Sequence, residues 1–163
     1  MVQTVKPIPE GYHTLTASIV VNDGARAIDF YKRAFGAVEV GRFPSPDGKI
    51  AHAEFKIGDS KLMLSDEFSF GPVKAPQSLG GTTTVFYLYT EDVDALFNQA
   101  LAAGATVKFP LKDQFWGDRT GHLADPFGHV WALAMHKEDV SPEEMQRRGA
   151  IEMARMAQRA QSA

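Results

Sequence analysis

The chain has 163 residues, 44% of them hydrophobic and 23% charged, the balance of an ordinary folded domain. Its 17 Lys and Arg against 20 Asp and Glu give a formal charge of −3, so neither a basic nucleic-acid footprint nor a polybasic membrane surface is present. Without cysteine, disulfides, thiolate metal sites, iron–sulfur clusters and thiol nucleophiles are excluded together.

Met1 to Gly11 lacks the charged-then-apolar order of a signal peptide and no apolar run approaches a membrane span, so a cytoplasmic protein is expected. Leu15 to Val21 is apolar and β-branched enough for a strand, and Asn22-Asp23-Gly24 supplies turn and capping chemistry. Ala27, Ile28, Tyr31, Ala34 and Phe35 then form one helical stripe that Gly36 stops. A strand over Val38 to Phe43 ends at the turn Pro44-Ser45-Pro46-Asp47-Gly48. In Ile50 to Ile57, Ala51, Ala53, Phe55 and Ile57 alternate with Ile50, His52, Glu54 and Lys56, a half-buried strand. Gly58-Asp59 turns into a short strand over Lys61 to Leu64, which completes a βαβββ unit.

Phe68 to Gly81 has little periodicity and reads as a linker. The grammar then restarts. Thr83 to Thr90 is a strand, Val93 to Ala103 a helix ended by Gly104, and Val107 to Phe109 a strand stopped by Pro110. An irregular stretch, Leu111 to Gly117, precedes a strand over Arg119 to Ala124, the turn Asp125-Pro126-Phe127-Gly128, and a last strand over His129 to His136. Asp23 and Asp92 differ by 69, Gly36 and Gly104 by 68, Gly58 and Gly128 by 70, and His52 and His122 by 70. This near-constant offset predicts an α+β protein of two tandem βαβββ modules, 12–67 and 82–138, joined by a linker at 68–81, with an unrelated α+β fold as the alternative. The outer faces of the two sheets would curve around a shared cleft. Residues 139–163 form an extension in which Ser141-Pro142-Glu143-Glu144 is a helix start, and Met145, Ile151, Met153 and Met156 are expected to pack against the domain or a subunit partner.

The tandem grammar, with Ala25-Arg26-Ala27-Ile28-Asp29-Phe30-Tyr31-Lys32-Arg33-Ala34-Phe35-Gly36-Ala37, resembles the vicinal oxygen chelate superfamily of glyoxalases, bleomycin-resistance proteins and extradiol dioxygenases. Phe115-Trp116-Gly117-Asp118-Arg119 and Asp125-Pro126-Phe127-Gly128-His129-Val130-Trp131 narrow the resemblance to its PhnB-like branch. A methyltransferase role sometimes attached to that branch finds no Gly-rich nucleotide loop here. The resemblance implies a homodimer with a small ligand in each cleft and, in the metalloenzyme members, a divalent ion held by four His or Glu ligands from the first and last strands of each module. The corresponding positions here are Thr16, Leu62, Val85 and Ala132, which predicts that no metal or other cofactor is held.

Alternation places Leu15, Ala17, Ile19 and Val21 under the helix and Thr16, Ser18 and Val20 on the cleft side, with Val85, Tyr87 and Tyr89 their counterparts. His52 and Glu54, about 7 Å apart along one strand face, are candidates for a general base and the carboxylate that orients it, or for a solvated polar pair. A metal site using His52, Glu54 and His122 has no familiar spacing behind it. Tyr87, Tyr89, Phe115 and Trp116 are candidates to stack on a flat or apolar ligand, with Thr16 and His122 beside them and Arg119 for an anionic group. Trp131, Leu133, Phe30, Tyr31 and Phe35 read as core, His129 as a backbone-bonding residue, and His13 and His136 as residues without a role. Two functions follow: a metal-independent small-molecule binding protein, or a lyase or isomerase on a small oxygenated metabolite that uses His52 and Glu54 or a recruited divalent ion.

Overall fold

The computed structural model describes residues 5–161. Residues 1–4, part of the segment read as free of a signal, and residues 162–163, the end of the extension, lie outside it. In the first half, β1 (Ala17–Val21) leads into α1 (Gly24–Phe35), β2 (Val38–Pro44), β3 (Ile50–Ile57) and β4 (Ser60–Asp66). After the short α2 (Pro76–Leu79), the second half runs β5 (Val85–Tyr89), α3 (Val93–Ala103), β6 (Thr106–Asp113), β7 (Asp118–Ala124) and β8 (Val130–His136), and α4 (Pro142–Gln161) follows. The structure thus has the two expected βαβββ units. Each makes a four-stranded mixed sheet, in the orders β1-β4-β3-β2 and β5-β8-β7-β6, with the first and last strands of each unit parallel and adjacent.

Local chemistry sets the helix ends. Asp23 and Asp92 accept hydrogen bonds from the amides of Arg26 and Ala95, and Gly36 and Gly104 close the helices at φ 65° and 116°, where a side chain would be strained. The helices lie against each other, and each satisfies the other's terminal carbonyls. Gln99 Nε2 donates to Arg33 O and Ala34 O at 3.0 and 3.1 Å, and Arg33 Nη1 donates to Ala103 O at 3.3 Å.

Both helices cover the same side of the two sheets, so one core spans the halves. Tyr31 stacks on Phe55 with centroids 5.3 Å apart, and Trp131 meets Phe35 at 4.7 Å and Phe86 at 4.9 Å. Fully burying side chains of this kind stabilises the fold by about 1.5–3 kcal/mol each. Asp125, itself buried, clasps the halves together. Its Oδ1 accepts the amides of Phe127 and His129, both at 2.9 Å, and its Oδ2 accepts Tyr31 Oη at 2.8 Å and Trp131 Nε1 at 3.0 Å. His129 Nε2 donates across to the Val20 carbonyl at 3.0 Å.

Several local expectations change. Leu15 precedes β1 and is exposed, because parallel pairing with β4 begins only at Ala17. The linker contains α2. Pro110 does not stop its strand: β6 is an edge strand with register breaks on either side of Phe109, and a residue lacking an N–H is tolerated there. The repeat offset is not constant either. Ala53 pairs with Leu64 and its counterpart Leu123 with Trp131, so an offset of 70 at β3 and β7 falls to 67 at β4 and β8. Counted between these pairs the second half is three residues shorter, because β7 and β8 stop pairing sooner, at Ala124 and Val130, than β3 and β4, which pair down to Ile57 and Ser60. Finally, α4 starts as read, with Ser141 Oγ accepting the Glu144 amide at 3.3 Å, yet none of its residues is buried. It is attached by Arg148 to Glu138, by Glu152 to Lys112, and by Gly149 over the Phe115 ring, which leaves Met145, Ile151, Met153 and Met156 exposed. No helix among the described residues is long and apolar enough to cross a membrane.

Candidate functional site

The outer face of the second sheet, away from the helices, carries a row of side chains set by strand register. Tyr87, Ala132, His122 and Phe109 lie side by side on β5, β8, β7 and β6, and Tyr89, Ala134 and Thr120 form the next row. The rings are in contact: Tyr87 and Tyr89 at 6.1 Å with planes 32° apart, Tyr87 and His122 at 6.2 Å, and His122 and Phe109 at 5.3 Å, the last two nearly perpendicular. Ala132, Ala134 and Thr120 are buried, while Tyr87 and Tyr89 remain 52% and 60% exposed. The result is a ring-covered floor of small residues that offers aromatic faces to solvent. The structure therefore brings Tyr87, Tyr89 and His122 together and adds Phe109, which the sequence reading left in an ordinary strand. Its alternation is hidden by the β6 register breaks, so only the aromatic type at a strand end could have flagged it.

Burial lowers the His122 pKa, with no hydrogen bond to either ring nitrogen among the described residues. Beside this face, Asp118 is buried and collects three donors. Tyr89 Oη and Trp116 Nε1 donate to Oδ2 at 2.8 and 3.2 Å, and His136 Nδ1 lies 2.8 Å from Oδ1. Burial pushes the Asp118 pKa up, but the bonds from His136, Tyr89 and Trp116 outweigh it and hold the carboxyl below its usual range. His136 also contacts Asp139, and its pKa is raised by its bonds to Asp118 and Asp139, so a residue read as idle is a structural partner of this network. Phe115 and Trp116 pair edge-to-face at 5.0 Å, and Phe115 lies under Gly149 of α4.

Arg119 is not with these residues. It points to the helix side, where it grips Asp94 of α3 through Nε and Nη2 at 2.8 and 2.7 Å and Asp113 through Nη1 at 3.1 Å. Strand alternation explains this, since Arg119 is in register with Met135, which packs against the core, and not with the outward-facing Thr120 row. Thr16 is half-buried just ahead of β1, in the other half of the molecule.

The two sheets meet at their edge strands β1 and β5, which are not hydrogen-bonded to each other. Along this seam lies a cavity of about 710 Å³, walled by Phe35, Leu62, Phe86, Leu88, Leu96 and Trp131, with Tyr87 and Tyr89 also at its boundary and Ser60, Lys61 and Thr90 polar among its lining. The aromatic face thus continues around β5 into an apolar recess of ligand size.

On the outer face of the first sheet, His52 Nε2 and Glu54 Oε1 are 3.4 Å apart, closer than the strand spacing because the side chains lean together. Glu54 also faces Tyr12, whose phenol its hydrogen bond, burial and its negative charge push up to about 12. Bonds from Tyr12 and His52 hold the Glu54 pKa below its ordinary value. His122 is on the other sheet, and among the described residues no group of three His, Asp or Glu side chains is placed to hold a metal ion.

The positions that would carry metal ligands can now be placed by register. Leu62, the mate of Ala132 on a constant offset, pairs with Ala17 and is buried on the helix side; the outward residues of that strand are Met63 and Ser65. Thr16, Ser18, Met63, Ser65, Val85 and Ala132 include no imidazole or carboxylate, and Ala132 is covered besides, so this donor set does not fit a divalent ion.

A model of the Glyoxalase/Bleomycin resistance protein/Dioxygenase superfamily matches residues 12–133. An uncharacterized protein of Mycobacterium tuberculosis is 50% identical over 135 residues, which cover 81% of this chain and 79% of the relative. Among solved structures, TioX from Micromonospora sp. ML1 superposes with a TM-score of 0.62 at 28% identity over 77% of this chain and 99% of its own. A PhnB protein from Bacillus cereus does so with a TM-score of 0.60 at 21% identity, over 76% and 99%.

Proposed function

Because the chain belongs to the glyoxalase/bleomycin resistance protein/dioxygenase superfamily, we propose that it uses the fold to bind a small apolar or aromatic molecule, without a metal or other cofactor. The observation that carries this reading is β5. One side of the strand presents Tyr87 and Tyr89 as half-exposed rings, and the other walls a 710 Å³ apolar cavity with Phe86 and Leu88. Stacking of a flat ligand on exposed rings contributes about 0.5–1.5 kcal/mol beyond area burial, and the adjoining recess removes further apolar surface from water.

Titration of the protein with 2-naphthol, followed by calorimetry and by the fluorescence of the probe, tests this. Saturable 1:1 binding is expected, weakened roughly tenfold by Tyr87→Ala and also reduced by Leu88→Trp, which fills the recess. No binding by the wild type, or binding indifferent to both substitutions, overturns the reading.

The exposed apolar side chains on the outer faces, Val38 and Phe43 in the first half and Phe109 in the second, support a homodimer. Light scattering that returns a monomer mass would refute it. A chain without cysteine is compatible with the cytoplasmic location expected for it. A second reading, an isomerase or lyase on a small oxygenated metabolite, draws on the His52–Glu54 pair as general base and orienting carboxylate. It predicts that the protein accelerates deuterium uptake at the carbon beside the carbonyl of hydroxyacetone and that His52→Gln abolishes the acceleration; a wild type no faster than buffer rejects it.

A further inference from the structure

On this reading of the aromatic face, we propose that His122 selects the ligand, which is a flat, uncharged aromatic molecule bearing a hydroxyl or ring N–H that donates to the imidazole. The argument is one of elimination among polar groups. The Tyr89 hydroxyl and the Trp116 N–H are committed to Asp118, and the Thr120 hydroxyl donates to the Leu133 carbonyl at 2.9 Å. Lys112, in register with Thr120, is held by Glu152 at 3.0 Å, and Arg119 is turned to the helix side. The Tyr87 hydroxyl rides on a half-exposed ring.

His122 is different: it stands in the middle of the row, edge-to-face between Tyr87 and Phe109, and its nitrogens have no protein partner among the described residues. A molecule stacked on the Tyr87 and Tyr89 rings brings its rim to this imidazole. Burial favours the neutral ring, which offers one acceptor nitrogen. A phenolic or heteroaromatic donor is a stronger donor than water, so this pairing gains over solvation, whereas a ligand without a donor leaves the nitrogen desolvated. A carboxylate finds the Asp118 charge at one end of the face, and its available cation is Lys108, in the β6 bulge beside Phe109.

Three naphthalene probes decide the matter: 2-naphthol, its near-isostere 2-methylnaphthalene, and 2-naphthoate, each titrated by fluorescence against the wild type and His122→Phe. The wild type should prefer 2-naphthol to 2-methylnaphthalene about tenfold, the ordinary net worth of one hydrogen bond. His122→Phe, which keeps a ring in place, should bind the two alike, at the affinity of the hydrocarbon. Should that variant not fold, the imidazole nitrogen resonances of wild-type His122 provide the second measurement: they must shift with 2-naphthol and stay fixed with 2-methylnaphthalene. A wild type without preference, a preference that survives His122→Phe, an unshifted imidazole, or tighter binding of 2-naphthoate than 2-naphthol overturns the proposal while the binding function stands. Failure of all three probes to bind overturns the binding reading and this proposal with it.

Discussion

Removing the Asp125 carboxylate should cost far more than removing any one of its partners. In Tyr31→Phe one O–H donor disappears and the carboxylate keeps three others, so the loss is that of a single hydrogen bond to a charged group, about 2 kcal/mol. In Asp125→Ala the Tyr31 hydroxyl and the Trp131 N–H are both left among buried rings without an acceptor, at about 1–3 kcal/mol each. The amides of Phe127 and His129 are released as well, though the half-exposed Pro126 and Gly128 bring water near the turn. A total of about 4–6 kcal/mol follows, a large part of the stability of a domain this size. The double variant should cost less than the two singles together, because Phe at position 31 has no donor to orphan. Urea denaturation followed by tryptophan fluorescence measures all three. An Asp125→Ala loss no larger than that of Tyr31→Phe, or strict additivity, would show that the clasp is not what joins the halves.

Gly121→Ala is expected to destabilise by about 2–3 kcal/mol by overpacking. A Cβ there would lie 2.8 Å from Phe97 Cε2 and 2.9 Å from the Leu111 backbone nitrogen, whereas Gly41→Ala, with nothing within 4 Å, serves as the control in the same melts. Arg119→Ala should lower stability by less than about 1 kcal/mol, the usual worth of a partly exposed ion pair. It should leave the titrations with 2-naphthol and 2-naphthoate unchanged; weakened 2-naphthoate binding would return Arg119 to the site. His136 has a pKa raised in the folded state, so its contribution is fully present below its unfolded value near 6.5 and is lost as pH rises through the folded value. The stability gap between wild type and His136→Gln should accordingly be wider at about pH 5 than at about pH 9, and a gap that widens with pH contradicts the Asp118–His136 bond.

How far the molecule was legible depended on whether the signal was local. The two βαβββ units, the Asp23 and Asp92 caps and the glycine stops are consequences of short-range chemistry, and the structure shows each of them. Alternation also told inward from outward residues wherever a strand was regular, as with Ile19, Phe55 and Trp131. It failed at β6, where register breaks hid Phe109, and at β4, where counting by a constant offset chose the helix-facing Leu62 for an outward position. Arg119 illustrates a different limit. Residue type marked it as an anion binder, but its use was settled by Asp94 on α3 and Asp113 on β6, two partners that no local pattern joins to it. The same holds for Asp118, whose three donors come from β5, the loop before β7 and the end of β8.

The Asp125–His129 turn makes the two halves non-interchangeable parts. Gly58-Asp59, the matching turn, supplies no buried carboxylate to reach the other half's helix and no imidazole to reach the other half's edge strand. A chain built from two copies of the first half could form both sheets and both helices and still lack the buried carboxylate that ties one half's turn to the other half's helix. One built from two copies of the second would carry two clasps, each lacking a tyrosine at the place of Tyr31, since α3 has Gln99 and Ala100 where α1 has Tyr31 nearby in the repeat. The internal repeat sets the architecture, and its break in symmetry at this turn is what commits each half to a single partner.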